Sequence, residues 1–478
     1  MAKKFYLTTT LPYVNADPHI GFALELVHAD IIARYHTLQG EEVFFNTGTD
    51  EHGLKIYRNA TAVGKDPQTY VDEYAAKFRR LPEALGVMPE VHFIRTTDTK
   101  HKAAAQEFWR RCERAGDIYK KNYKIKYCVG CELEKSDSEL VNGRCPIHPN
   151  LELEFIEEEN YFFRFSKYQK DLLKLYADRP DFVVPNFRFN EIKKFVEAGL
   201  EDFSISRLKE KMPWGVSVPG DDTQVMYVWF DALVDYISTI DWPQDETSFK
   251  KWWVDTGGVV QFAGKDQIRQ QAAMWQAMLL SAGLPPSKQI VIHGFITSEG
   301  QKMSKSLGNV IDPFALIDEY GVDAVRYFLA RHINPFEDSD FTLERFKEAY
   351  NANLANGLGN LASRVMTMSA EHLPDTSTVP EHALPEEFKN AFEHFNVQEA
   401  AEVLWQWIGK VDARIAETEP YKLVKENPAK AKEIITECVS DLRTICRMLR
   451  PLLPSTCEKL EAAILANKKP ENLFPRKD

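Results

Sequence analysis

Short apolar segments alternate with helix-length ones at the start of the chain, stop near Gly116, and resume after residue 225. Parallel strands need a crossover of a dozen or more residues between them, usually a helix. The alternation therefore commits the chain to an α/β sheet, and the interruption to an insert within it. Lys4–Thr10 reads as a first strand, and Gly21–Leu38 as a helix with Phe22, Leu26, Ala29 and Ala33 on one face. Glu42–Asn46 and Val91–Ile94 read as strands, and Pro67–Leu85 and Thr99–Ala115 as helices. Beyond the interruption, Met226–Trp229, Val259–Ala263 and Gln289–His293 read as buried strands, with a helix over Asp266–Ala282. After residue 345 the pattern is helical, broken near Pro374–Pro385 and Glu419–Pro428, as in a helical bundle.

The length, 478 residues, predicts three or four domains. The formal charge is 59 − 71 = −12, which argues against a protein that coats nucleic acid by bulk charge but leaves room for a local basic patch. The longest near-apolar stretch, Ala272–Leu284, is too short for a bilayer, where about twenty residues are needed. The opening MAKKFYLTTT has no apolar signal core, so a cytoplasmic protein is expected. An odd number of cysteines, seven, points the same way, to reduced thiols.

Three of those cysteines cluster. Cys128-Val-Gly-Cys131 is followed, thirteen residues later, by Cys145-Pro-Ile-His148. Two paired chelates with three thiolates and one imidazole suit tetrahedral Zn²⁺. With four protein ligands no position stays open for water, so the predicted zinc is structural and keeps a small insert folded.

Two further motifs sit in loops of the α/β part. Asp17-Pro18-His19-Ile20-Gly21 lies between the first strand and its helix, where free N–H groups and the helix dipole suit phosphate. His19 could add a hydrogen bond, and Gly21 removes a side chain where a flat ring approaches the backbone. Alone, a His-x-Gly is more often a capping histidine. Lys302-Met303-Ser304-Lys305-Ser306 follows the last strand, and its two lysines can neutralise a polyphosphate leaving group.

Together the pair resembles the class I aminoacyl-tRNA synthetases. The strings TTTLPYVNADPHIGFALELVHADIIARY, FNTGTDEHG, YVWFDALVDY and IHGFITSEGQKMSKSLGN narrow the likeness to the methionyl-tRNA synthetases, over most of the chain. The resemblance implies an α/β Rossmann-like parallel-sheet catalytic domain interrupted by a zinc-binding insert and followed by an α-helical bundle. The expected divisions are 1–116 and 226–295 for the two catalytic halves, 117–225 for the insert, 296–345 for the KMSKS loop and linking helices, and 346–478 for an anticodon-binding bundle.

The implied activity is ATP-dependent ligation of L-methionine to tRNA(Met) through a methionyl adenylate, for initiation and elongation, with Mg²⁺ on the phosphates. By resemblance His19, Lys302 and Lys305 carry catalysis, and His19, Gly21, Asp266, Gly294 and Lys305 bind ATP. Leu11, Tyr13, Trp229, Ala232, Tyr236 and His293 line a methionine pocket, where sulfur–ring contacts suit the thioether, and Asp50 holds the ammonium. Asn360, Arg364 and Tyr421 match the anticodon readers; splayed bases want stacking and hydrogen bonds. The sequence departs from the family pattern at Phe22, where a second imidazole stands in the motif, at Leu233, where some members have Pro, and at Tyr421, where some have Trp. No editing domain or appended module is visible, so a monomer is expected. Two rival readings are an adenylate-forming nucleotidyltransferase of the same fold without tRNA, and a non-catalytic tRNA-binding scaffold.

Overall fold

The computed structural model describes residues 3–131, 133–135, 137–303 and 308–477. Its central sheet has six strands: β1 (Lys4–Thr8), β2 (Glu42–Thr49), β3 (His92–Arg95), β4 (Val183–Val184), β5 (Val260–Gly264) and β6 (Gln289–His293). Their order is β3-β2-β1-β5-β6-β4. β1 pairs parallel with β5, β2 with β3, and β6 with β4. β5 is buried along its whole length and β1 after its first residue, the near-continuous apolar run of strands covered on both faces. The order reverses at β1, which lies between β2 and β5, and such a switch point opens a crevice at the carboxyl ends of the strands.

Two expectations differ from the structure. Met226–Trp229 is no strand of this sheet: Asp221–Met226 pairs antiparallel with Ser206–Leu208 in a separate sheet, and Val228–Ala232 is a helix. Met226, Tyr227 and Val228 are buried and Trp229 is half-buried, and periodicity alone does not separate helix from strand in so short an apolar run. The edge strand β4 comes instead from the 117–225 segment, and two residues offer no period to read. A helix over Leu54–Ala62, directly after GTDEHG, was also absent from the sequence reading.

Elsewhere the interruption is antiparallel. Its four-stranded sheet runs Leu133–Lys135, Ile118–Cys128, Glu154–Phe163, Phe203–Ser204. The lysine-rich strand lies opposite a glutamate-rich one, and Lys124 pairs with Glu157 across the ladder at 2.7 Å.

The C-terminal helices are Asn360–His372, Glu386–Glu393, Val397–Thr418, Pro420–Glu426, Pro428–Leu452 and Pro454–Leu465. Breaks fall where prolines and asparagines stop one helix and start the next. Pro420, Pro428 and Pro454 occupy first-turn positions, and Asn396 and Asn427 cap with their side chains. By its contacts the chain forms two compact units. One holds Met1–Pro18, Val43–Arg80 and Glu90–Ile292; the other holds His19–Glu42, Leu81–Pro89 and His293–Asp478. In the second unit the helix Ile20–Leu38 packs on the bundle, with Tyr35 stacked on Phe392 at 4.0 Å.

Candidate active site and metal centre

The helix Ile20–Leu38 begins at His19, whose side chain caps it: the Gly21 N–H donates to Nδ1 at 3.1 Å. Desolvation pushes the His19 pKa down to about 4, so the ring is neutral near pH 7. With Nδ1 accepting, its proton sits on Nε2, at the start of the helix. Phe22, the departure from the family pattern, stacks on this ring with centroids 4.3 Å apart. Gly21 is required by close approach, since a Cβ there would stand 2.9 Å from His19 Cε1. The same point is 4.0 Å from Met303 Cε, and the Ile20 N–H donates to the Ile311 carbonyl at 3.1 Å. Both flanks of the lysine loop therefore border the histidine motif. Gln301–Lys302 pairs antiparallel with Ile296–Ser298, which fixes where the loop leaves. Lys305 lies outside the described residues.

His293 and Gly294 belong to the same unit as His19. His293 Nδ1 donates to the Gly294 carbonyl at 2.8 Å, and Nε2 meets Glu25 Oε2 at 2.6 Å. One proton must lie between that nitrogen and that carboxyl oxygen. Glu25 drew no attention in the sequence, although it lies two turns along the helix that His19 caps.

In the other unit, Asp50 follows β2 and is tied to the loop after β1. Its N–H donates to the Pro12 carbonyl at 2.9 Å, its carbonyl accepts from Val14 N–H at 3.1 Å, and it bridges to Tyr13. Leu11 and Tyr13, half-buried, thus run beside it. Glu51 takes a bidentate contact from Arg95 at 2.7 and 2.9 Å. His52 Nδ1 lies 3.0 Å from Asp231 Oδ2, and His101 Nε2 lies 3.2 Å from Oδ1. Burial would raise the Asp231 carboxyl, but the two imidazoles outweigh it and hold the group below the usual carboxylate range. Asp235, close by, is pushed well above that range by burial and by the Asp231 charge.

Asp231 sits in the same five-residue helix as Trp229 and Ala232. Tyr236 follows in Asp235–Ser238, its hydroxyl accepting from Gln271 Nε2 at 2.7 Å. Asp266 is exposed in the Lys265–Gln267 turn directly after β5, inside the turn and not at its cap, which is Gly264. The structure thus gathers Leu11, Tyr13, Asp50, Trp229, Ala232, Tyr236 and Asp266 in one unit, and His19, Gly21, Lys302, His293 and Gly294 in the other. Sequence reasoning passed over His52, His101 and Asp231. The first and last stand in the quoted motifs, but their partnership is not written in any spacing.

In the bundle, Asn360 is exposed at the first position of its helix, and Arg364, one turn on, pairs with Asp412. Tyr421 is 48% exposed in the helix after Pro420, with its hydroxyl 3.2 Å from Glu419.

The cysteine cluster closes on itself. The ligand atoms of Cys128, Cys131, Cys145 and His148 all lie within 4.8 Å of one another. Cys131 Sγ is 3.5 Å from Cys145 Sγ, and His148 Nδ1 is 3.1 Å from Cys131 and 3.8 Å from Cys128. Zn–S bonds of about 2.3 Å in a tetrahedron put sulfurs about 3.8 Å apart, so the four groups fit one such ion. Gly130 makes room for the imidazole: a Cβ there would meet His148 Cγ at 2.6 Å. The cluster could hold a metal ion, through a donor set that zinc favours.

Residues 5–152 and 137–366 match the family described as tRNA synthetases class I (M). The chain is 42% identical to a methionine–tRNA ligase of Thermosynechococcus vestitus, over 96% of this chain and 90% of that protein. It is 41% identical to a methionine–tRNA ligase of Thermotoga maritima, over 98% and 76%. In three dimensions it superposes on a Mycobacterium tuberculosis methionyl-tRNA synthetase in complex with methionyl-adenylate. The TM-score there is 0.90, at 34% identity, covering 99% of this chain and all of that one.

Proposed function

Because the chain belongs to the methionyl-tRNA synthetases of class I, we propose that it ligates L-methionine to tRNA(Met) at the cost of ATP, through methionyl adenylate. The methionine carboxylate attacks the α-phosphorus in line, and pyrophosphate leaves. The methionyl group then passes to a hydroxyl of the terminal ribose of tRNA, and AMP leaves. The chain needs no nucleophile of its own, and its work is positioning and charge stabilisation.

The observation that carries the catalytic assignment is the meeting of Met303 and Ile311 with the start of the His19 helix. This favours a cradle in which the neutral His19 Nε2–H donates to a phosphoryl oxygen while Lys302 and Lys305 face the departing pyrophosphate. Mg²⁺ accompanies the phosphates. Gly21 and Gly294 take the adenosine, and Asp266, at the end of β5, takes the ribose. Asp50 receives the substrate ammonium; Leu11, Tyr13, Trp229, Ala232, Tyr236 and His293 enclose the thioether. Cys128, Cys131, Cys145 and His148 hold a structural zinc. Asn360, Arg364 and the exposed Tyr421 read the anticodon. The working form is a cytoplasmic monomer; among the described residues no helix is long and apolar enough to cross a membrane.

Pyrophosphate exchange and tRNA charging test this reading. Exchange should depend on methionine and not on leucine or isoleucine, and tRNA(Met) should accept the product. Exchange without charging would leave the adenylate-forming transferase, and neither activity would leave the scaffold.

A further inference from the structure

We propose that Asp231 is a positioning residue for amino-acid selectivity: by binding His52 and His101 at once, it locks the helix bearing Trp229 and Ala232 to the segment bearing Asp50. The inference rests on the reading of Asp50, Trp229 and Ala232 as methionine-binding residues. Asp231 is wholly buried and uses one carboxylate oxygen for each imidazole. A carboxylate only accepts, so His52 Nδ1 and His101 Nε2 are the donors. His101 belongs to the helix Thr99–Arg114, and its other nitrogen faces Ser238 Oγ at 2.9 Å. His52 stands edge-on to Trp214, whose Nε1–H donates to the Glu51 carbonyl at 2.6 Å. The segment from Asp50 to His52 is therefore held at every residue: Asp50 by Pro12, Glu51 by Arg95 and Trp214, His52 by Asp231.

Methionine has a limited reach from ammonium to sulfur, set by two intervening methylenes. An enzyme that grips the ammonium at Asp50 and the thioether at Trp229 and Ala232 measures side-chain length by the spacing of those two elements. Asp231 sets that spacing, because Trp229 and Ala232 stand within two residues of it on a helix of only five. A displacement of about 1 Å is enough to cost catalysis about a hundredfold.

Asp231→Asn keeps the shape and replaces one acceptor by a donor, so one imidazole loses its partner. In the full-length enzyme, pyrophosphate exchange should show the KM for methionine raised about tenfold, the order expected when a buried polar group is left unpaired. The preference for methionine over ethionine, one methylene longer, measured as kcat/KM, should fall. The KM for ATP should stay within about twofold. His52→Asn should reproduce the effect, and the double variant should be no worse than the poorer single, as for one shared interaction. Should Asp231→Asn fail to fold, His52→Asn carries the test alone. A folded variant with unchanged methionine KM and unchanged preference overturns the proposal, as does an equal rise in both KM values. Trp229→Ala with an unchanged methionine KM would remove the pocket reading itself, whatever Asp231 does.

Discussion

At the scale of single residues, His19 shows how a departure from a family pattern is absorbed. Phe22 takes the place of an imidazole and stacks on the one that remains, adding to the burial that keeps His19 neutral. The ring is harder to protonate folded than unfolded, so its neutral, donating form persists from neutral pH down to about 4. Exchange activity should therefore show no acid limb near pH 6.5 that His19→Gln removes; finding one would contradict the neutral ring. The same substitution should slow adenylate formation about 10²–10³-fold, the loss typical of one transition-state donor, in single-turnover measurements. The pairing of His19 with Gly21 was legible in the sequence because the spacing is local. The tautomer of His19 was not, because that depends on the Gly21 N–H turning back onto Nδ1.

Among the elements, the cysteine–histidine cluster was the easiest to read. Four ligands within twenty-one residues, Cys128 to His148, leave few ways to close a chelate. The structure adds why Gly130 stands between the first two thiols: the His148 ring occupies the space a Cβ would need. Gly130→Ala should lower the metal content of purified protein, and a chelator should unfold this segment before the helical bundle. Limited proteolysis with and without chelator checks this; equal cleavage of both states would count against a structural ion. Of the strand expected over Met226–Trp229, Val228 and Trp229 instead begin the helix Val228–Ala232, because so short an apolar run looks the same in either conformation.

For the molecule as a whole, long-range polar pairs set what each unit can tolerate. In the second unit Arg326 has no exposed surface. It pairs with Asp30 at 2.7 Å and donates to the carbonyls of Leu85, Pro451 and Leu452 at 3.0–3.2 Å. Asp30 also accepts from Arg34 at 2.8 Å and from the Met88 N–H at 2.8 Å. One guanidinium thus joins the His19 helix to the last turn of the longest bundle helix. Arg326→Met should cost about 3–5 kcal/mol in the unfolding of this unit, because it removes one of the two charged partners of buried Asp30 and the donor to three carbonyls. Urea titration should show it as a lower midpoint; an unshifted midpoint would deny the network that weight.

The amino-acid order by itself determined the strand–helix alternation, the cysteine–histidine cluster and the His-x-Gly and lysine motifs, since each is a pattern of period or short spacing that the backbone repeat imposes. Only the folded chain decided that Asp231 answers His52, Glu25 answers His293 and Asp30 answers Arg326. Those partners stand 179 and 268 residues apart in the first two cases. A buried polar group accepts any complementary atom that chain closure brings within reach, so no local pattern records which one it will be.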